Sequence, residues 1–401
     1  MEFRRISNLP PYVFTIINNL KIEARRSGAD VIDLGFGNPD IPSPDIAVRK
    51  LAEAAQMPRN HRYSLSRGLP KLREAIAGYY LRTWGVELDS ETEITNTIGS
   101  KEGFSHLMWV LLDRGDAAIV PSPSYPIHIY GPLFAGADLR QVPMNGLSHP
   151  EQRGNFTEDF MSRLTTAYDI GWPKPRVLVI SFPHNPTGAV VDLDFMQQVV
   201  DFCREREMIV VHDFAYADVG FDGVQPPSIL QAEGAKECAV ELYSMTKSFS
   251  MAGWRTAFLL GNAEVVQALV KLKSYLDYGM FQPVQIAATV TLNEASDFPK
   301  EICRTYESRC DTLIDGLARI GWDVPKPGGS MFVWAPIPEP YKDLDSVEFC
   351  SLMVRDCDVA LSPGLGFGPG GEGYVRFALI ENEKRIQQGL RNLKRGLPKL
   401  G

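Results

Sequence analysis

Short apolar runs with no polar alternation recur through the middle of the chain: Ala117–Val120, Val177–Phe182, Met208–Val211, Val240–Tyr243 and Thr256–Leu260. A strand with one wet face alternates apolar and polar side chains, so an unbroken run belongs to a strand covered on both faces. Between the runs, Phe195–Glu207 sets Phe195, Met196, Val199, Val200 and Cys203 on one helical face. Such strands joined by helices predict an α/β fold with a mostly parallel central sheet flanked by helices. Ligands of such sheets bind beyond the carboxyl ends of the strands.

The C-terminal third reads differently. Ser330–Trp334, Val359–Ser362 and Tyr374–Ile380 have strand patterns, bracketed by helical ones near Ser346–Arg355 and Glu383–Lys394. This predicts a smaller α+β layer folded on the first. The N-terminal arm is expected to join it, with Pro10-Pro11 and the Pro39–Pro44 stretch opposing regular helix there. The expected division is an arm and part of the small domain over 1–45, a large domain over 46–290 and the rest of the small domain over 291–401. No repeat, low-complexity tract or linker separates independent domains.

Composition excludes some partners. A net charge of −8 argues against nucleic acid and anionic membranes, which reward clustered positive charge. No apolar run approaches the roughly 20 residues that span a bilayer, and the first residues lack a signal-peptide core. Six scattered cysteines without a C-x-x-C pair read as core thiols in a reducing compartment, the cytoplasm. The six histidines show no ligand spacing, which argues against zinc.

Polar residues gather just past the strand ends. Pro183-His184-Asn185-Pro186-Thr187-Gly188 presents an amide, and His212-Asp213-Phe214-Ala215-Tyr216 a carboxylate and a phenol. Ser244-Met245-Thr246-Lys247 and Gly253-Trp254-Arg255 supply a hydroxyl, an ammonium and a guanidinium, while Gly99-Ser100-Lys101 opens a helix. A phosphorylated pyridine aldehyde has a use for each. The lysine forms an imine with the aldehyde, and the Asp keeps the ring nitrogen protonated so that the ring withdraws electrons. The phenol and amide tune the ring hydroxyl, and the helix start offers N–H groups to a phosphate. Ser244 and Arg255 add a hydroxyl and a charged fork. Arg376, inside the apolar strand Tyr374–Ile380, suits a substrate carboxylate.

Singly, each residue has a plainer reading. A strand-end Asp or Lys is often a cap or a solvated residue, Gly99-Ser100 often simply starts a helix, and Arg376 could belong to an internal ion pair. Tyr125 and Tyr216 could be core aromatics. Gly366-Phe367-Gly368-Pro369-Gly370-Gly371 formally fits a dinucleotide fingerprint, but Pro369 and the strand that follows disfavour it.

Taken in order, Asn185-Pro186-Thr187-Gly188, Asp213 with Tyr216, Ser244-x-x-Lys247, Gly253-Trp254-Arg255 and Arg376 resemble the class I/II aminotransferases, pyridoxal-phosphate enzymes of fold type I. The resemblance spans nearly the whole chain. It implies pyridoxal 5′-phosphate held by Lys247, with Asp213 on the ring nitrogen and Asn185 and Tyr216 at the ring hydroxyl. It places Gly99, Ser100, Lys101 (through its backbone), Ser244 and Arg255 around the phosphate, and Tyr125 stacked on the ring. Tyr63, in Arg62-Tyr63-Ser64-Leu65-Ser66-Arg67-Gly68, would reach the neighbouring subunit's phosphate, which implies a homodimer with shared active sites. Arg376 would bind the substrate α-carboxylate with help from Asn185 and the backbone at Gly37.

Several stretches, among them Tyr125-Pro126-Ile127-His128-Ile129-Tyr130-Gly131 and Arg376-Phe377-Ala378-Leu379-Ile380-Glu381-Asn382, resemble bacterial alanine (glutamate–pyruvate) aminotransferases, with the LL-diaminopimelate aminotransferases the nearest rival. The implied reaction moves an amino group between L-alanine or L-glutamate and pyruvate or 2-oxoglutarate in a ping-pong cycle. Tyr275-Leu276-Asp277-Tyr278-Gly279-Met280-Phe281 holds no arginine where dicarboxylate specialists recruit one, which counts against such a specialist. Tyr12 and Tyr130 are candidate pocket walls, with core packing an equal alternative. Broad aspartate/aromatic transamination and a C–S β-lyase remain alternatives. An effector-sensing module of a transcription regulator is disfavoured, because the sheet pattern begins too early to leave room for a DNA-binding segment.

Overall fold

The computed structural model describes Phe3, Leu9 and residues 12–144 and 156–398. Its centre is a seven-stranded sheet of β2 (Ile94–Ile98), β3 (Ala117–Ser122), β4 (Asp138–Pro143), β5 (Val177–Ile180), β6 (Ile209–Phe214), β7 (Ala239–Ser244) and β8 (Thr256–Gly261). Their order is β2-β8-β7-β6-β5-β3-β4. Strands β7, β6, β5, β3 and β4 run parallel, while β8 is antiparallel to both its neighbours. Both faces are covered, as the unalternating runs require. Ile119, Leu178, Ile180 and Val210 enter one apolar cluster, and Ala118, Val120, Val177, Val179 and Val211 enter another.

Two of these strands carry no apolar signature. In β2, Thr95, Asn96 and Thr97 are buried polar residues, and Asn96 Nδ2 donates to Ala257 O at 2.9 Å. Strand β4 lies at the sheet edge and is mostly part-exposed, so its sequence need not be apolar.

A second core joins residues 17–34 to residues 302–397 and takes in Tyr216, Val219 and Phe221. It is built on the antiparallel sheet β11-β12-β9 (Ser362–Pro363, Tyr374–Ala378, Phe332–Pro336) and on the parallel pair of β1 (Ile32–Asp33) with β10 (Val359–Ala360). The expected Val359–Ser362 strand is therefore two short strands in different sheets. The arm is also more regular than its prolines suggest. Val13–Arg26 forms a 14-residue helix, because Pro39–Pro44 lies beyond its end. Pro10 and Pro11 fall outside the described residues. All six cysteines are free thiols, five buried and Cys303 partly so. Among the described residues no helix is long and apolar enough to cross a membrane.

Candidate active site

The reversal of β8 concentrates chemistry at one edge. Because β7 and β8 are antiparallel, their connection sits at the carboxyl end of the parallel strands, and it carries Ser244, Lys247 and Arg255. Strand β2 is antiparallel to β8, so its own carboxyl end, followed by Gly99 and Ser100, reaches the same edge. The turn after β5 brings Asn185, and the end of β6 brings Asp213 and then Tyr216. A cavity of about 420 Å³ opens there. Its walls include twelve of the fifteen residues singled out from the sequence: Tyr12, Gly37, Ser100, Lys101, Tyr125, Asn185, Asp213, Tyr216, Ser244, Lys247, Arg255 and Arg376, while Tyr130 packs instead against the apolar cluster of Ala118 and Val120.

Gly99 stands just behind this lining and is fixed by geometry. Its φ is +81°, and a Cβ there would lie 2.1 Å from Arg255 Nη2. Only glycine lets the guanidinium close over the start of the Ser100–Leu111 helix. That helix has no side-chain N-cap hydrogen bond, which leaves its first N–H groups and its positive dipole end able to take an anion. Tyr63 lies apart. It is 83 % exposed, outside the cavity, with its ring 4.6 Å from that of Tyr278.

Four cations line the cavity without a carboxylate partner among the described residues: Lys101 and Arg255 are exposed, Lys247 is half-buried and Arg376 is buried. Lys247 Nζ donates to Gly37 O at 2.8 Å. Burial, then the charges of Arg376 and Arg255, bring its pKa down to about 7. Arg376 donates to Asn185 Oδ1 at 2.8 Å and to Gly35 O at 3.1 Å, and its Nε has no partner. Its guanidinium lies 3.8 Å from the Phe332 ring centroid and 4.6 Å from that of Phe367. Burial lowers its pKa to about 10. A Cβ on Gly37 would strike the Phe332 ring at 2.6 Å, so this glycine is needed for the close approach of its segment.

Asp213 is buried, and His128 Nε2 sits 2.8 Å from its Oδ2, while Oδ1 is buried without a partner. His128 Nδ1 in turn meets Ser124 Oγ at 3.1 Å. Ser181 Oγ donates to the backbone oxygen of Asp213 at 2.8 Å. One carboxylate oxygen is thus anchored and the other has no donor among the described residues. Burial raises the Tyr216 phenol well above its ordinary range and the Tyr125 phenol to about 12, so both stay protonated donors at neutral pH.

Sequence reasoning missed His128, Ser124, Ser181, Phe332 and Phe367. His128 had a faint signal, three residues after Tyr125 at the start of a helix. The two phenylalanines had none, since an aromatic in an apolar stretch is first of all core. The formal dinucleotide fingerprint is no phosphate loop. Gly364–Phe367 and Pro369–Gly371 are short 3₁₀ turns leading into β12, and Phe367 serves as a face for Arg376.

The profile of aminotransferase class I and II matches residues 29–393. The glutamate–pyruvate aminotransferase AlaC of Escherichia coli is 47% identical over 98% of this chain and 93% of its own. An LL-diaminopimelate aminotransferase of Desulforudis audaxviator is 39% identical over 98% of this chain and 97% of its own. Among solved structures, apo BacF of Bacillus subtilis superposes with a TM-score of 0.91 at 34% identity, covering 100% of both chains. The chain therefore belongs to the class I and II aminotransferases, and it is a transferase enzyme built on their fold.

Proposed function

We propose that the cavity holds pyridoxal 5′-phosphate and that the enzyme moves an amino group between L-alanine or L-glutamate and pyruvate or 2-oxoglutarate in a ping-pong cycle. The observation that carries this reading is the joint presence, in one cavity, of four cations without a carboxylate partner and a buried carboxylate oxygen without a donor among the described residues. When bound, pyridoxal phosphate supplies an aldehyde that takes up an amine and a protonated ring that withdraws electrons from the carbon bearing it. The residues fit that group.

In this reading Lys247 would hold the aldehyde carbon until the substrate amine takes its place and frees it. Its amine, with a pKa brought to about 7, is also the base that takes and returns the proton at the substrate Cα. Asp213 Oδ1 accepts the ring N–H, with His128 keeping the carboxylate aimed. Asn185 and Tyr216 hydrogen-bond the ring hydroxyl, and Tyr125 stacks on the ring. The N–H groups at Gly99, Ser100 and Lys101, with Ser244 and Arg255, take the phosphate. Arg376, Asn185 and the Gly37 backbone orient the substrate carboxylate, and Tyr12 walls the side-chain space. The exposed Tyr63 supports a homodimer in which it completes the partner's phosphate site. The two cores support a large domain over 46–290 and a small domain made of 1–45 and 291–401. Six unpaired thiols support the cytoplasm as its compartment.

Alanine and glutamate are placed first because of the 47% identity to a glutamate–pyruvate aminotransferase. A longer diamino acid is second, on the 39% identity to LL-diaminopimelate aminotransferases. The test is spectroscopic. L-glutamate should remove the visible absorption of the lysine-bound cofactor, and pyruvate should restore it. A spectrum that neither alanine nor glutamate disturbs sinks the substrate assignment. Lys247→Ala should lose the band; a lysine-linked band that survives in this variant sinks the site.

A further inference from the structure

Two buried polar side chains stand side by side in the large sheet, one residue before Asp213 on β6 and three before Ser244 on β7, and the reaction as described uses neither. In register, Ile180 of β5 stands beside His212 of β6, which stands beside Glu241 of β7. His212 and Glu241 are both fully buried. His212 Nδ1 lies 2.8 Å from Glu241 Oε2. Its Nε2 lies 3.1 Å from Phe182 O and 3.2 Å from Phe182 N. Glu241 also accepts from Tyr80 OH at 2.6 Å, Ser228 Oγ at 2.8 Å and Ile229 N at 3.0 Å. The carboxylate thus has four donors, which compensates its removal from water.

A buried polar pair of this kind is weak evidence for stability, since apolar replacements of similar volume are often neutral or better. What it fixes is geometry. A neutral His212 accepts the Phe182 N–H, and a doubly protonated one donates to the Phe182 carbonyl, so either form ties β6 to the end of β5. Glu241 ties β6 to β7. Asn185 follows Phe182 by three residues, Asp213 follows His212 directly, and Lys247 follows the end of β7 at Ser244 by three.

We propose that Glu241 and His212 are positioning residues, a transverse strut that sets the relative heights of the three strand ends presenting Asn185, Asp213 and Lys247. The inference rests on the cofactor reading above. In the holoenzyme, His212→Gln retains a group for Phe182 and loses Glu241, whereas His212→Asn retains Glu241 and loses Phe182. Each should weaken pyridoxal phosphate binding about ten-fold, the scale of one charge-assisted hydrogen bond lost. Each should also move the pH midpoint of the Lys247-bound band by about half a unit or more. A purely structural strut would lower the melting temperature and leave both readouts at the parent values, and that result overturns the proposal. Should both variants fail to fold, Tyr80→Phe removes one donor to Glu241 further from the site. A displaced midpoint in that variant supports the strut, and the parent's midpoint refutes it. A parent protein with no lysine-bound band would instead overturn the cofactor reading itself.

Discussion

Arg309 and Arg376 are equally buried, at 5 % exposed each, yet their surroundings are opposite. Arg309 makes a two-pronged contact with Asp40, at 2.7 and 2.8 Å, and donates to Leu379 O. Burial pushes its pKa down, but the hydrogen bonds and charge of Asp40 outweigh that and raise it. Arg376 is surrounded by neutral oxygens and two phenyl rings, and burial lowers its pKa to about 10. The lysines repeat the contrast. Lys273, 1 % exposed, lies between Glu102 at 2.7 Å and Asp277 at 3.1 Å, whereas Lys247 has only a carbonyl. A buried cation costs several kcal/mol unless paired. Where the fold alone is served, the chain provides the counter-charge. Where it provides none among the described residues, as at Arg376, the proposed reading assigns the counter-charge to a ligand.

The contrast breaks most visibly at Arg376. Arg376→Met removes an uncompensated buried cation, so the fold should be as stable as the parent or more so. Catalytic efficiency with alanine should nonetheless fall about 10³-fold, because the substrate carboxylate loses its forked partner. Urea unfolding and steady-state kinetics on one preparation check both halves. A variant that unfolds readily would make Arg376 a structural arginine and end the comparison.

Arg309→Met should show the reverse. Asp40 would lose its partner, and the loss of stability should be about 2 kcal/mol, below the usual cost for a fully buried pair because the Asp40 side chain is 36 % exposed. Efficiency should fall far less than in Arg376→Met. The denaturation midpoint is the measure; an unchanged midpoint would show that Asp40 contributes nothing to holding the arm.

How far this was legible in the sequence follows from the same physics. Strands β3, β5, β6, β7 and β8 announced themselves because burial on both faces demands unbroken apolar residues. β2 and β4 did not, since one is polar and the other an edge strand. Lys247, Asp213 and Arg255 were legible as polar residues at strand ends, and Arg376 as a cation inside an apolar strand. His128, Gly35 and the Phe332 and Phe367 faces were not, because they act through contacts between segments far apart in the chain. The absence of a partner for Asp213 Oδ1 or Arg376 Nε is a property of the folded arrangement, which no local pattern encodes.

Lys101 offers the finest test of the contrast between paired and waiting cations. It is the second residue of the Ser100–Leu111 helix, where a positive charge opposes the helix dipole. Its ammonium lines the cavity 5.9 Å from the Tyr125 ring centroid and has no carboxylate within ion-pair distance among the described residues. Unlike Arg376 it is exposed, so water already compensates its charge, and only its place in the cavity lining offers it to an anion. In the proposed reading the phosphate would take only the Lys101 backbone, which would leave the side chain for the distal carboxylate of glutamate or 2-oxoglutarate, a group that alanine and pyruvate lack. Lys101 is exposed, and the expected gain is that of a surface ion pair. Lys101→Ala should raise the KM for glutamate and 2-oxoglutarate about five-fold, near 1 kcal/mol. The KM values for alanine and pyruvate should stay at the parent level, and the increase for glutamate should shrink at high salt. Equal increases for all four substrates would assign the ammonium to the phosphate instead, and Lys101 would then serve the cofactor alone.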